Sequence, residues 1–176
     1  AETEGETLRF SSSQAALVDA LLATQEHVDY DEKFLSWRDK LANFNGVQQD
    51  KEPGSFKGEL RDYQREGLGW LKFLEEFQFG GCLADDMGLG KTLQTLSFLY
   101  SVGGTALVVC PSSLVYNWVS EAEKFVPELK TVGIEGPNRS DILKDNQDAD
   151  IFVTSYALLR RDEDVWREWD FDVVIL

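Results

Sequence analysis

The residues best suited to chemistry in this sequence lie in one run, Asp85–Thr92, where two glycines precede a Lys-Thr pair. Glycines let backbone N–H groups approach phosphate oxygens, and a helix that starts at the Lys-Thr pair adds partial positive charge. The ammonium of Lys91 would meet the β- and γ-phosphates of a triphosphate, and the Thr92 hydroxyl would complete the Mg²⁺ shell. The pattern predicts a phosphate-binding loop for a magnesium nucleotide.

A phosphate loop of this kind lies between a strand and a helix, and the sequence predicts both. The apolar run 81–84 leads into the glycines, and a helix is expected from Lys91 to about Ser101. Gly88 and Gly90 stand where a side chain would block the phosphates. The general motif begins with glycine at the position where this sequence has Asp85. An ordinary strand-to-helix turn is the alternative interpretation.

Elsewhere, apolar runs alternate with helical patterns. A helical face spans residues 60–74, and the link at residues 99–105 is short. Strands are predicted at 106–110, 130–134, 150–154 and 171–176, and helices at 113–125, around 141 and at 156–169. Apolar strands separated by helices imply right-handed βαβ units. The expected fold is an open α/β domain, a parallel sheet with helices on both faces.

The N-terminal third of the chain has a different pattern. Residues 1–50 are expected to form an acidic tail and a small helical appendage, with helices from about Ser11 to Thr24 and from about Asp31 to Gly46. Residues 51–59, broken by Pro53-Gly54, predict a linker. Residues 60–176 would then form the main domain.

Composition excludes several classes of function. With 32 acidic and 17 basic residues the formal net charge is −15, so nucleic acid could be held only locally or with a partner. One histidine and two widely spaced cysteines exclude a zinc site, and both cysteines are expected to be buried small hydrophobes. No apolar run approaches membrane-spanning length, and the acidic N-terminus is not a signal peptide. The expected location is inside the cell, in the cytoplasm or the nucleus.

Four blocks in the same order resemble the Snf2 family of DNA-dependent ATPases. Residues 83–92 resemble its version of the loop, in which the first glycine is commonly acidic and an acidic residue and Met-Gly-Leu-Gly-Lys-Thr follow. Residues 60–67 look like the family's adenine-reading segment, residues 110–118 like motif Ia and residues 153–156 like motif Ib. The resemblance runs from about residue 60 to the last residue and implies a RecA-like ATP-binding lobe.

This resemblance assigns roles residue by residue. It implies contact of Pro111, Ser112, Ser113 and Thr154 with double-stranded DNA, although Pro111 and Ser112 could simply end a strand and cap a helix. Trp118 is expected in the core, and Arg61 near the nucleotide or on the surface. Gln64 would bond the adenine edge, or be an ordinary solvated glutamine. The nucleotide-binding set is Gln64, Asp85, Asp86, Met87, Gly88, Leu89, Gly90, Lys91 and Thr92.

The resemblance also implies parts beyond residue 176. An Asp-Glu pair should follow the strand at 171–176, and a second lobe should supply arginines. The parent protein is therefore expected to be a DNA-dependent ATPase that uses ATP and Mg²⁺ and tracks along double-stranded DNA. This chain alone is expected to bind DNA weakly and not to hydrolyse ATP. Other P-loop enzymes, such as a helicase or restriction-type ATPase, and a non-hydrolysing regulatory module stay open.

Overall fold

The computed structural model describes residues 2–4, 7–9, 20 and 29–176 of the chain. These fall into two compact units, one of residues 1–48 and 69–82 and the other of residues 49–68 and 83–176. The helix expected at 11–24 falls, apart from residue 20, outside the described residues. Across the part that is described, no helix is long and apolar enough to cross a membrane.

In its described residues the first unit contains two short antiparallel strands and the helix α1 (Glu32–Ala42). Strands β1 (Glu2–Glu4) and β2 (Thr7–Arg9) pair with each other. Helix α1 starts where expected, because the Asp31 carboxylate accepts a hydrogen bond from the Phe34 N–H at 2.7 Å. It ends at Ala42, and Asn43 is its C-cap, three residues before Gly46.

Aromatic side chains form the core of this unit. Phe73 and Phe77 come from helix α2 (Asp62–Glu76) and its end. Phe44 stacks on Phe73 with ring centroids 4.5 Å apart, and Trp37 meets both Phe77 and Phe79 edge-on. Rings in such offset and edge-to-face pairs add to the stabilisation that burial provides. The aromatic periodicity of the α1 sequence is thus explained by packing.

The second unit is a parallel α/β layer. Its sheet has the strand order β4 (Thr131–Gly133), β5 (Ile151–Ser155), β3 (Ala106–Cys110) and β6 (Val173–Ile175), and each neighbouring pair is parallel, as the sequence predicts. A 3₁₀ turn (Ser112–Leu114) opens the segment after β3. The elements are α3 (Lys91–Val102), β3 (Ala106–Cys110), α4 (Val115–Phe125), β4 (Thr131–Gly133), α5 (Arg139–Asp145), β5 (Ile151–Ser155), α6 (Tyr156–Arg161), α7 (Glu163–Trp166) and β6 (Val173–Ile175).

Helices cover both faces of this sheet. Leu107 and Phe152 point to one face, where they pack in a single cluster with residues of α5, α6 and α7, among them Trp166. On the other face Gly133 lies so close to α4 that an added Cβ would be 3.3 Å from Val115. Strand residues alternate between the faces, so near-continuous burial of β3 and β5 follows from helices on both sides.

Two expectations before the phosphate loop are wrong. Residues 79–86 form neither helix nor strand. The backbone at Gly81 is instead packed by side chains, since an added Cβ would lie 2.7 Å from the Trp70 ring, and glycine contributes little to a strand. Cys82 is exposed, whereas Cys110 is buried as expected. Burial raises the pKa of the Cys110 thiol.

The short link between α3 and β3 is a glycine turn. Gly103 and Gly104 have φ values of +67° and +78°, a region that side chains rarely adopt. The Asp172 carboxylate accepts a hydrogen bond from the Thr105 N–H at 2.8 Å. The turn therefore reverses the chain within three residues and ties β3 to the segment that leads into β6.

Candidate functional site

The side chain of Lys91, at the end of the phosphate loop, is hydrogen-bonded to the start of the loop. Lys91 is the first residue of α3, and its Nζ donates to the carbonyl oxygens of Asp85 at 2.6 Å and Asp86 at 3.0 Å. Charged donors prefer anionic or carbonyl oxygens, and here the ammonium lies against the start of the loop. The loop thus places one cation at the point where the sequence predicts triphosphate binding.

The two loop glycines adopt the left-handed backbone that the loop requires. Gly88 has φ +86° and Gly90 has φ +79°. Gly90 is also the N-cap of α3, and because it has no side chain, no capping oxygen occupies the first N–H groups of the helix. Those N–H groups and the helix dipole suit an anion. Met87, beside Gly88, is 96% exposed.

Residues at the start of α2 hold the far side of the loop. The Tyr63 hydroxyl and the Gln64 amide both donate to the Leu89 carbonyl, at 3.1 and 3.0 Å. The other end of the Gln64 amide accepts from the Arg61 N–H at 2.9 Å, and Gln64 is buried. Gln64 is thus not a solvated glutamine. Its amide lies beside the loop, and Arg61 itself is exposed.

Asp85 is held by the helix that follows the loop. Its carboxylate accepts a hydrogen bond from Nε2 of Gln94 at 2.9 Å, and Gln94 has no exposed surface. Thr92 lies half-buried in the first turn of α3, and Asp86 is exposed. The sequence-predicted loop residues therefore lie together, with Thr92 next to Lys91 and the Asp85 carboxylate on the helix side.

The segment before α2 supports this arrangement and is packed and hydrogen-bonded. Arg65 donates from Nε and Nη2 to the Glu52 carboxylate at 3.1 and 2.9 Å. That hydrogen bond is the main reason that the pKa of Glu52 lies below its usual range. Glu52 also accepts from the Leu60 N–H at 3.3 Å. The polar residues that suggest a linker in the sequence are instead used to anchor the start of α2.

The predicted DNA-contacting residues divide into two groups. Pro111, Ser112 and Ser113 are exposed after β3, at the 3₁₀ turn. Thr154 is 0% exposed, and its hydroxyl donates to the Ile134 carbonyl at 3.0 Å. The direct DNA contact expected of Thr154 does not fit this structure, because the hydroxyl is used to join β5 to the end of β4. Trp118 is half-buried.

Comparison with known proteins places this arrangement in a family. A model of the SNF2-related domain matches residues 63–176, from the tyrosine that binds the loop to the last residue. The chain belongs to the SNF2-related domain family. Its fold is therefore RecA-like, as the structure of the parallel sheet and the loop already indicates.

The relatives of this SNF2-related chain are much longer proteins. The TATA-binding protein-associated factor mot1 of Schizosaccharomyces pombe is 33% identical over an alignment of 182 residues. The alignment covers 93% of this chain and 9% of that protein. The chromatin-remodeling ATPase INO80 of Arabidopsis thaliana is 39% identical over 141 residues, 70% of this chain and 9% of that protein. The chain thus spans about a tenth of each of these relatives.

A solved structure gives the same result. The Sulfolobus solfataricus SWI2/SNF2 ATPase core in complex with dsDNA superposes with a TM-score of 0.66 and 38% sequence identity. The match covers 72% of this chain and 27% of the solved chain. ATP is the nucleotide that membership of the SNF2-related family implies.

Three residues at this candidate site have no role that the sequence predicts. Tyr63, Gln94 and Glu52 have no role assigned by the loop pattern, yet each contacts the loop or the helix start that supports it. Gln94 follows Lys91 by three residues, so both lie on one face of the first turns of α3. That spacing is the signal that could have identified it.

Proposed function

We propose that this chain is the ATP-binding lobe of a Snf2-type ATPase that acts on double-stranded DNA. The observation that carries the proposal is the position of Lys91, whose ammonium lies on two loop carbonyls beside Gly88 and Gly90 in left-handed conformations. On binding, the ammonium would exchange those carbonyls for phosphate oxygens, with which a cation interacts more strongly.

Magnesium and ATP fit the residues present. The uncapped start of α3 offers N–H groups to phosphate, and Thr92 offers the hydroxyl that a P-loop uses toward Mg²⁺. Bound Mg²⁺ would neutralise charge that develops on the phosphates. The chain's own part is to hold the triphosphate with Lys91 and the loop N–H groups, and to position it through the hydrogen bonds that fix the Leu89 carbonyl.

Adenine recognition is proposed for Gln64. Its amide can offer a donor and an acceptor together, which matches the adenine N6/N7 edge and does not match guanine. The Leu89 carbonyl and the Arg61 N–H are hydrogen-bonded to the two ends of this amide. Adenine would therefore compete with these partners. GTP displacing ATP with equal affinity in a competition assay would reject this role.

Contact with DNA is proposed for the exposed turn at Pro111–Ser113. Hydroxyls and backbone N–H groups position a DNA strand but release few counterions, and the net charge of −15 opposes phosphate at long range. We therefore expect weak duplex binding by this chain alone. Fluorescence anisotropy with a labelled duplex measures it, and nanomolar affinity at physiological salt would contradict the expectation.

Phosphate transfer is proposed to need groups beyond Lys91 and Thr92. Transfer depends on stabilising charge in the transition state, and an arginine finger alone contributes ~10³–10⁵ in rate in related NTPases. The chain alone should bind Mg-ATP with turnover near background. Phosphate release measured with and without duplex DNA tests this, and clear DNA-stimulated release by this chain would contradict it.

The central test is calorimetry of Mg-ATP binding with Lys91→Ala. Loss of a charged donor to phosphate should weaken binding by about 10- to 100-fold. Lys144→Ala is the matched control, because Lys144 is an exposed lysine in α5, and it should bind as the unchanged chain does. Equal affinity of the Lys91→Ala variant and the unchanged chain would overturn the proposed function.

A further inference from the structure

Asp85, which replaces the first glycine of the general loop motif, is hydrogen-bonded to α3. The Asp85 carboxylate accepts from Gln94 Nε2 at 2.9 Å, while the Asp85 carbonyl accepts from Lys91 Nζ at 2.6 Å. Both donors come from the first turns of α3. Asp85 therefore joins the beginning of the loop to the helix at the end of the loop, through its side chain and its backbone.

The orientation of the Gln94 amide is fixed from two sides. A flipped amide would place Oε1 against the Asp85 carboxylate, and two acceptors facing each other would repel. On the other side Gly67 of α2 leaves the space for Oε1, since an added Cβ would lie 1.9 Å from that oxygen. Gln94 thus has one position available, in which Nε2 meets Asp85.

This position has an energetic cost. Gln94 Oε1 is buried and, among the residues that the structure describes, finds no hydrogen-bond partner. A buried unsatisfied acceptor destabilises a fold, and apolar residues of the same shape would remove that cost. A wholly buried amide kept in such a place suggests that its donor to Asp85 matters for the loop more than for stability.

We propose that Asp85 and Gln94 form a positioning pair for nucleotide binding, an inference that rests on the proposed function. The Gln94 N–H group holds the Asp85 carboxylate against α3, which keeps a negative charge of the loop away from the triphosphate. The same bond fixes the start of the loop against α3, the helix that begins at Lys91. Asp85 is thus a positioning residue, and its carboxylate is not a ligand for nucleotide or magnesium.

The test is Gln94→Met, which keeps the length of the side chain and removes both the donor and the unsatisfied acceptor. Thermal unfolding should show equal or higher stability, because the buried orphan oxygen is gone. Mg-ATP affinity measured by calorimetry should nevertheless fall about tenfold, because the Asp85 carboxylate is released beside the phosphates. A purely structural role would make affinity follow stability, so opposite changes in the two quantities identify positioning.

A charge-swapped pair supplies the rescue. Gln94→Glu places two carboxylates together and should weaken Mg-ATP binding by about tenfold or more. Adding Asp85→Asn restores one donor and one acceptor with reversed polarity, so the double variant should bind within about threefold of the unchanged chain. No rescue in a folded double variant would overturn the inference.

Lys91→Ala separates this inference from the proposed function. If Gln94→Met binds Mg-ATP as tightly as the unchanged chain while Lys91→Ala loses binding, the positioning pair is wrong and the phosphate loop stands. If the unchanged chain binds no Mg-ATP, the proposed function fails first and the pair has no nucleotide to position.

Discussion

Carbonyl groups of the phosphate loop are hydrogen-bonded within the chain, whereas the serine turn after strand β3, formed by Ser112 and Ser113, faces solvent. In the loop, side chains of α2 and α3 donate hydrogen bonds to backbone carbonyls. The Leu89 carbonyl accepts two of them, and the Lys91 ammonium donates to the Asp85 carbonyl at the start of the loop. At the strand ends, Ser112 and Ser113 lie exposed, whereas the Thr154 hydroxyl is turned inward. A ligand must displace internal bonds at the loop, but at the serine turn it meets polar groups already facing solvent.

Amino-acid substitutions should act differently in these two regions. The loop depends on backbone shape, because Tyr63, Gln64 and Lys91 donate to its carbonyl oxygens, whose positions are set by φ and ψ. The serine turn depends on the groups that it exposes, and its shape is carried by the strand beneath it. Substitutions should therefore affect nucleotide binding through conformation and DNA binding through lost contacts.

The largest effect is expected from Gly90→Ala, with Gly88→Ala as its partner. Both residues have positive φ, so alanine is strained at each by roughly 1–2 kcal/mol. Only at Gly90 would the new Cβ also meet Gln64 Nε2, at 2.5 Å, while nothing lies within 4 Å at Gly88. Mg-ATP affinity by calorimetry should fall further for Gly90→Ala, by about 100-fold against about tenfold.

Equal losses for the two glycine variants would show that backbone strain alone governs the loop. The Gln64 amide would then have no share in setting its shape. The control is a single cooperative unfolding transition in both variants, with a melting temperature only a few degrees below that of the unchanged chain, as strain of this size implies.

Thr154→Val should change stability without changing DNA affinity. Valine keeps the shape of threonine but leaves the buried Ile134 carbonyl without the hydroxyl donor, at a cost of about 1–3 kcal/mol. Denaturant unfolding measures the loss. A folded Thr154→Val chain with reduced duplex affinity would show that this strand end communicates with DNA in spite of its burial.

The serine turn should show the converse. Replacing Ser112 and Ser113 together with alanine should leave the free energy of unfolding within about 0.5 kcal/mol, because both side chains are exposed. Duplex affinity should fall by about three- to tenfold, the size expected from one lost neutral hydrogen bond. Ser140→Ala, at an exposed serine of α5, is the control and should not alter anisotropy.

The smallest effect concerns the anchor beneath the loop. Arg65 lowers the pKa of Glu52 in the folded chain, so the pair stabilises the fold above the pKa of a free glutamate, ~4.3. That stability is lost as the pH falls through the folded-state value. Glu52→Gln should reduce stability at pH 7 by at most about 1 kcal/mol and make no difference near pH 2. Unfolding curves at both pH values check the sign.

Elements of the fold are predicted correctly from the sequence where a residue pattern has one structural solution. The run at 106–110 is apolar throughout and forms β3 with the predicted bounds, because an apolar run too short for a helix suits a strand that is covered on both faces. Lys91 begins α3 as expected, since glycines end the preceding loop and a helical pattern follows.

The predictions from the sequence are wrong where tertiary contacts determine the local structure. The apolar residues 81–84 resemble a strand, but no periodicity reveals that Trp70 and Leu74 pack onto Gly81. Thr154 resembles an exposed strand end, yet only the register of β4 beside β5 shows that Ile134 lies within reach of its hydroxyl. Burial of a polar residue depends on which neighbour the fold brings to it, and local periodicity and motif spacing do not identify that neighbour.

The packed segment before α2 decides where this protein can be shortened. Phe56 is 6% exposed and stacks on Phe125 at 6.0 Å, and the Lys57 N–H donates to the Phe125 carbonyl at 2.8 Å. An expression version trimmed to the family match at residue 63 would uncover the Phe125 ring and leave the Arg65 guanidinium without its carboxylate. Trimming must also leave Trp37 and Phe44 in place over Phe73 and Phe77. The recombinant lobe should therefore begin no later than residue 31, before helix α1, and versions that start between 57 and 63 should aggregate.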